Sequence, residues 1–345
     1  MAIGIALLGA GIFAKEEHLP AIQACPSLLL KAVYSRSQGS AEGLASTLTN
    51  KVDVYYDSPE TSGKSVDDLL KRDDIQAVII GVPITAQPAL VKKAIAAGKH
   101  VLSEKPIAKD VATAKDLLEF YKSSGSKAFW AVGENLRFFH SVVKAAEVLK
   151  GMDAKLCTFR TSVNIFVDKN DKYYQTSWRS IPDYQGGFLL DGGVHFVGAT
   201  RYLLAALGQK PVSLAAFTTL TQPMLPPVDT LHAVWKTGNG GQGTFNVSFG
   251  VEFQGAFEFE VVTDKGSVLV RPTEVVTTVK NEAGEKTPST TEHPFSMGVK
   301  EEVAAFAKSL EDGKLDPRLA APEAFEDLEL LESMLKSNGN LIQLS

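Results

Sequence analysis

The sequence predicts an α/β chain of two domains: a doubly wound parallel domain at the N-terminus, then an α+β domain with a large open, mostly antiparallel sheet. Three observations predict it. The 345 residues exceed what one ordinary hydrophobic core organises. Short β-branched runs alternate with helical patterns through the first third, as right-handed strand–helix–strand crossovers require. After roughly residue 150 that alternation gives way to strand runs joined by turn residues.

In the first third, Ile3–Leu8, Leu29–Tyr34, Ala77–Ile80 and the short Val101–Leu102 read as strands. Val66–Lys71 reads as a helix capped by Ser65 with Asp68 three residues on. Pro88–Ala97 reads as a helix stopped by Gly98, and Val111–Ser123 repeats Ala114, Leu117, Leu118 and Tyr121 on one face. Further on, Thr158–Phe166, Leu231–Lys236, Gly243–Phe249, Ala256–Val262, Ser267–Val270 and Val275–Lys280 read as an antiparallel meander. Turns fall at Thr237–Gly241, Asp264–Gly266 and Asn281–Gly284. Helical patterns at Phe188–Leu207, Val299–Leu310 and Pro322–Lys336 are expected to cover one face of that sheet.

Composition narrows the class. With 44% hydrophobic and 22% charged residues, the chain is ordinary globular material. A net charge of −5 without a basic block argues against nucleic acid as a partner. No stretch approaches a membrane span, the apolar N-terminus lacks a basic leader region, and a cytoplasmic location is expected. Cys25 and Cys157 lack any metal-ligand spacing and are expected to be two buried, reduced thiols; no metal site is expected.

Gly9-Ala10-Gly11-Ile12-Phe13-Ala14 follows the first strand and fits the G-x-G-x-x-[G/A] fingerprint of a dinucleotide-binding Rossmann domain. The first glycine permits the tight turn, and the second lets backbone approach a pyrophosphate. The small third residue permits close helix–sheet packing. Where NAD binders place an acid for the ribose hydroxyls, this chain has Ser35-Arg36-Ser37. A forked cation between two hydroxyls suits a 2′-phosphate, so NADP is the expected cofactor.

Glu104-Lys105-Pro106 follows the run His100–Ser103, where a strand end meets the ligand-binding edge of such a sheet. Pro106 stiffens the loop and can take a cis bond, and Lys105 offers a cation to the crevice; a solvated surface pair is the plainer alternative. Asp191 and His195 are four apart, hence on one helix face, among Gly186, Gly187, Gly192 and Gly193, which allow close approach of a ligand. Histidine can exchange a proton near neutrality, and a carboxylate can orient it. An N-capping Asp with a packed His is the structural alternative. Trp178-Arg179 supplies an aromatic face and a fork donor of the kind that lines polyol sites, or else is packing.

Gly9-x-Gly11-x-x-Ala14, Glu104-Lys105-Pro106 and Asp191-Gly192-Gly193-Val194-His195 together resemble the glucose-fructose oxidoreductase/inositol dehydrogenase/rhizopine catabolism (Gfo/Idh/MocA) family over nearly the whole chain. The segments Gly11–Pro20 and Trp178–His195 resemble in particular a fungal NADP-dependent subgroup. The resemblance implies a Rossmann domain over residues 1–130 and a substrate-binding and oligomerisation domain over 131–345. It implies that Lys105, Asp191 and His195 line the nicotinamide pocket, with Arg137 near substrate. Pro83, Gln87, Glu104, Trp178 and Arg179 join Gly9, Gly11–Ala14 and Ser35–Ser37 on the cofactor side. The chain departs from the family at Val82–Gln87, at Gly198 and at His140, which weakens any borrowed substrate.

The expected activity is hydride transfer between NADP and a secondary alcohol or carbonyl of a sugar, cyclitol or similar small molecule, with imine reduction as a variant. A catalytically silent NADP-sensing interaction protein and a redox-assisted hydrolase or lyase are the alternatives from other classes. A homodimer or homotetramer is expected through the open sheet face, from the run of Phe245, Phe249, Phe253, Phe257 and Phe259.

Overall fold

The computed structural model describes residues 2–58 and 62–344, which divide into two compact units. The first comprises residues up to 134 together with 299–325. The second comprises 135–298 and 326 onward.

The first unit holds a six-stranded parallel sheet: β1 (Ile3–Leu8), β2 (Leu28–Ser35), β3 (Asp53–Tyr56), β4 (Ala77–Ile80), β5 (His100–Ser103) and β6 (Trp130–Val132). Its order, β3-β2-β1-β4-β5-β6, reverses direction between β1 and β4. The central strands are apolar on both faces because helices cover both, and Ile5–Leu8 and Ala77–Ile80 are wholly buried. A five-residue π-helix, Ala14–His18, runs into α1 (Leu19–Ala24). Then come α2 (Gln38–Ala45), α3 (Val66–Leu70), α4 (Gln87–Ala96) and α5 (Val111–Ser123). Ser65 and Asp68 form the expected capping box on α3, each closing on the other's backbone N–H at 3.2 Å.

The second unit opens with a 3₁₀ turn at Asn135–Phe138 and α6 (His140–Gly151). Its nine-stranded sheet contains β7 (Leu156–Asn164), β8 (Pro211–Thr219), β9 (Thr230–Thr237), β10 (Gln242–Ser248), β11 (Ala256–Thr263), β12 (Gly266–Arg271), β13 (Glu274–Lys280), β14 (Lys286–Glu292) and β15 (Ile342–Gln343). Between β7 and β8 lie the short α7 (Ser177–Ser180) and the long α8 (Gly187–Ala205). All neighbours are antiparallel except β7 and β10, which pair in parallel from Thr158↔Gln242 to Asn164↔Ser248. The sheet is therefore not a simple meander: the chain leaves β7, passes through α8 and two strands, and returns beside it.

Several expectations need correction. The helix read at Val299–Leu310 is α9 (Val299–Asp312), and it packs on α1 in the first unit instead of covering the second sheet. The segment 299–325 thus groups with the first unit, where the sequence assigned everything after 131 to the second. The cover on the nine-stranded sheet comes from α6, against β12 and β13, and from α8, against β7, β10 and β11. From the last helix, α10 (Ala321–Ser337), Met334 Sδ accepts the Trp235 Nε1 hydrogen bond at 3.1 Å. Phe245, Phe249 and Phe259 are buried on the covered face, Phe257 is half-buried against Phe139 and Phe196, and Phe253 is 96% exposed in a turn. These aromatics therefore do not furnish the exposed apolar face on which the oligomer expectation rested. Cys157 is exposed on β7 and Cys25 half-buried, so neither is the buried thiol that composition suggested.

Candidate active site

In the first unit the parallel strands deliver their C-terminal ends to one edge. Four backbone bonds carry the ladder just past the strands: Gly9 N–H to Tyr34 O, Gly81 N–H to Leu8 O, Glu104 N–H to Ile80 O and Gly133 N–H to Ser103 O. The Gly9–Ala14 loop and the Glu104–Pro106 loop thus flank the β1/β4 reversal, where open α/β sheets bind their ligands.

Both fingerprint glycines have a physical cause. Gly9 has φ +125°, and a Cβ there would lie 2.1 Å from Gly81 O, so no side chain fits. Gly11 is the opposite case: a Cβ there would meet nothing within 4 Å. Its side faces open space, as a loop that receives a phosphate requires. Ala14, the small third residue, is buried at the first turn. Ile12 begins the helical stretch, and Phe13 sets its ring edge-on to His18 with centroids 5.2 Å apart. The loop fits the pyrophosphate of a dinucleotide.

At the end of β2, Ser35 is half-buried and Arg36 and Ser37 are exposed. Ser37 caps α2, its Oγ accepting the Ser40 N–H at 3.3 Å. Tyr34 donates to Asp57 Oδ2 at 2.7 Å, beyond the end of β3. Burial first, then Asp57, pushes the Tyr34 hydroxyl well above the ordinary phenol range, while the Arg36 charge opposes the shift. An acid therefore stands in this neighbourhood after all, supplied by the adjacent strand and invisible to the spacing rule along β2.

Past β4, Pro83 O accepts the Ala86 N–H at the turn into α4. Gln87, buried at the start of α4, reaches Pro106 O with Nε2 at 3.4 Å, and its Oε1 has no partner among the described residues. Lys105–Pro106 is a cis peptide. Glu104 Oε1 lies 2.7 Å from Nε2 of His18, a residue for which the sequence reading gave no role.

In the second unit, α8 carries both Asp191 and His195, four residues apart on one face. Asp191 is buried, and its Oδ2 accepts Arg179 Nε at 2.7 Å. The Arg179 guanidinium lies 3.9 Å from the centre of the Trp178 ring and 5.2 Å from that of Tyr173. Trp178 in turn approaches Tyr184, centroids 6.1 Å apart. Burial first, then the Asp191 charge, raises the Tyr184 hydroxyl well above its ordinary value. His195 is half-buried. The structure thus joins Trp178, Arg179 and Asp191 into one cluster.

Two expectations are altered here. Two of the glycines around Asp191 are explained by packing: a Cβ on Gly192 would fall 2.4 Å from Phe249 Cζ, and one on Gly187 2.2 Å from Pro226 O. Arg137, expected near substrate, is 2% exposed and donates Nη2 to Asp327 Oδ2 at 2.5 Å. Asp327, also buried, accepts from Arg201 as well, so one carboxylate answers two guanidinium groups.

Comparison with known proteins agrees with this layout. A family model described as an oxidoreductase family with an NAD-binding Rossmann fold matches residues 3–132, and its C-terminal alpha/beta domain counterpart matches 155–340. The chain is 46% identical to Dehydrogenase FPY6 of Fusarium mangiferae over 97% of its own length and 96% of that protein's. An oxidoreductase from Thermotoga maritima superposes with a TM-score of 0.86 at 28% identity, covering 99% of this chain and 98% of the other. A 3-ketoreductase from Actinomadura kijaniata, solved with NADP and TDP-benzene, shares the fold at a TM-score of 0.77 and 20% identity, covering 98% of each chain. The chain belongs to the Gfo/Idh/MocA oxidoreductase family.

Proposed function

We propose that the protein is an NADP-dependent dehydrogenase or reductase acting on a secondary alcohol or carbonyl of a sugar, cyclitol or related polyhydroxylated small molecule. The observation that carries this reading is the sheet edge of the first unit. There the open side of Gly11, the Arg36 cation and the Lys105 loop stand at the ends of β1, β2 and β5 of one parallel sheet. Gly9–Ala14 would hold the pyrophosphate, and Arg36 with Ser35 and Ser37 the 2′-phosphate. The nicotinamide ring supplies hydride exchange when bound; the protein supplies geometry and proton handling.

His195 donates or accepts the proton of the substrate oxygen. Lys105 polarises that oxygen and eases the proton transfer. Asp191, already accepting a hydrogen bond from Arg179, acts as a fixed carboxylate that orients its neighbours. Trp178, held against Arg179, offers an apolar face to the C–H side of a sugar or cyclitol ring. Similarity, at 28% identity over 59% of this chain, to the dTDP-3,4-didehydro-2,6-dideoxy-alpha-D-glucose 3-reductase of Actinomadura kijaniata supports a carbonyl substrate on a sugar ring.

The test is NADPH oxidation against a panel of aldoses, ketoses and inosose-like ketones, followed by His195→Ala and Lys105→Met on whichever compound turns over. Each substitution should lower kcat by ~10²–10⁴ while leaving NADPH affinity near that of the unmodified protein. Near-normal turnover in His195→Ala would remove the proton-transfer role. NADPH binding without turnover of any compound would favour the sensing protein over the enzyme.

A further inference from the structure

The turn that follows the phosphate loop is a π-helix, Ala14–His18, and π-turns are uncommon and concentrate at functional positions. It delivers His18 to the inner side, where the residue is 1% exposed. The ring lies over the end of β4: a Cβ on Gly81 would sit 3.5 Å from His18 Cδ2, at ordinary contact distance. His18 Nε2 and Glu104 Oε1 are 2.7 Å apart across 86 residues of sequence. With a carboxylate as acceptor, Nε2 carries the hydrogen and donates. Glu104 immediately precedes Lys105, and Gln87 reaches the carbonyl of Pro106 on its other side. The lysine is thus bracketed by two anchored residues.

We infer that His18 is a positioning residue for Lys105. Its hydrogen bond to Glu104 ties the strand end that bears the lysine to the helix that follows the pyrophosphate loop, so that cofactor cradle and lysine keep one register. This inference rests on the role proposed for Lys105, but its test requires no substrate.

The experiment measures how fast an amine-selective acylating reagent labels Lys105, by peptide mass spectrometry at fixed pH, in the unmodified chain and in His18→Ala, His18→Gln and Glu104→Leu. Lys93, an exposed lysine paired with Asp67 in the same unit, is the internal control. In His18→Ala and Glu104→Leu the Lys105 rate should change by about threefold or more as the loop that bears it loses its anchor. The Lys93 rate should hold. His18→Gln, whose carboxamide can still donate to Glu104, should recover most of the native Lys105 rate. NADPH affinity should stay within about threefold in His18→Ala and His18→Gln, since the charge-assisted phosphate contacts are untouched. An unchanged Lys105 rate in both His18→Ala and Glu104→Leu overturns the inference. If His18→Ala also alters Lys93, it has disturbed the fold, and Glu104→Leu with intact Lys93 decides alone. Absence of turnover in the substrate panel would refute the enzymatic reading and leave the labelling result to be judged separately.

Discussion

Replacing Arg36 by alanine should weaken NADPH binding and leave NADH binding nearly unchanged. A charge-assisted hydrogen-bond pair is worth about 1.5–3 kcal/mol. Arg36 is exposed at the end of β2, where solvent and salt screen it, so the low end applies. About 1.5 kcal/mol corresponds to roughly tenfold in affinity. Asp57, held by Tyr34 in the same neighbourhood, pulls the same way on the estimate, since its charge disfavours a nearby phosphate. The assay is a pair of fluorescence titrations, NADPH and NADH, on the unmodified protein and Arg36→Ala at low and high salt. The ratio of the two affinities should fall about tenfold on mutation, and the native ratio should itself shrink as salt rises. If Arg36→Ala keeps the full native preference, the 2′-phosphate is not read by this residue. If Asp57→Ala then removes binding of NADH, the ribose hydroxyls of NAD are the ligand that this corner serves.

Three further outcomes follow from packing and titration. Gly192→Ala should cost about 1–3 kcal/mol in urea unfolding through overpacking on Phe249, and Phe249→Leu should relieve it; a neutral Gly192→Ala would return that glycine to a ligand-facing role. Asp327→Ala strips the carboxylate from buried Arg137 and from Arg201, and should cost about 3–5 kcal/mol, readable as a lower denaturation midpoint; a loss under 1 kcal/mol would mean the pair is not a structural anchor. Burial lowers His100 from its usual 6.5, and its Nδ1 accepts the Phe129 N–H at 2.9 Å, which needs the unprotonated ring. The unfolded chain therefore binds the extra proton first, so His100 contributes stability above pH 6.5 that drains away as pH falls below it. His100→Gln should flatten that acid-side slope in unfolding curves taken between about pH 7.5 and 5; an unchanged slope would remove His100 as its source.

What the sequence revealed depended on local chemistry. Ile3–Leu8, Ala77–Ile80 and Val111–Ser123 were legible because burial on both faces, or on one helical face, writes an unbroken period into the chain. The strand β14 (Lys286–Glu292) was not, because every residue of it is exposed, all but Pro288 are polar, and its place is set by pairing with β13. β8 was hidden by Pro211 and a run of small residues, and β6 by its length of three. The helix α2 contains Gly39 and Gly43, whose low propensity masks it. Lys105, Asp191 and His195 could be picked out by motif, whereas their partners could not. The Arg179–Asp191 pair spans a break between two helices, and the His18–Glu104 pair depends on a π-turn and on the sheet order that sets β5 one strand away from β1, across β4. The only sequence signal for the latter was a histidine placed just beyond a phosphate loop, and nothing local told it apart from a surface residue.

The return of residues 299–325 to the first unit bears on how the polypeptide comes off the ribosome. In that unit Leu19 and Ile22 are buried on α1, which packs on α9; Ser27 bonds Glu311; and Ala131 bridges to Ala320. A nascent chain stopped after 134 has made all six parallel strands but none of this final layer, and its α1 face stays wet until α9 has been made. Synthesis order and folding order are then at odds. The strands from β7 to β14 emerge while the first unit still waits for its last layer. An N-terminal fragment cut at the apparent boundary should be sticky and poorly soluble, and supplying α9 through a short linker after residue 134 should cure it.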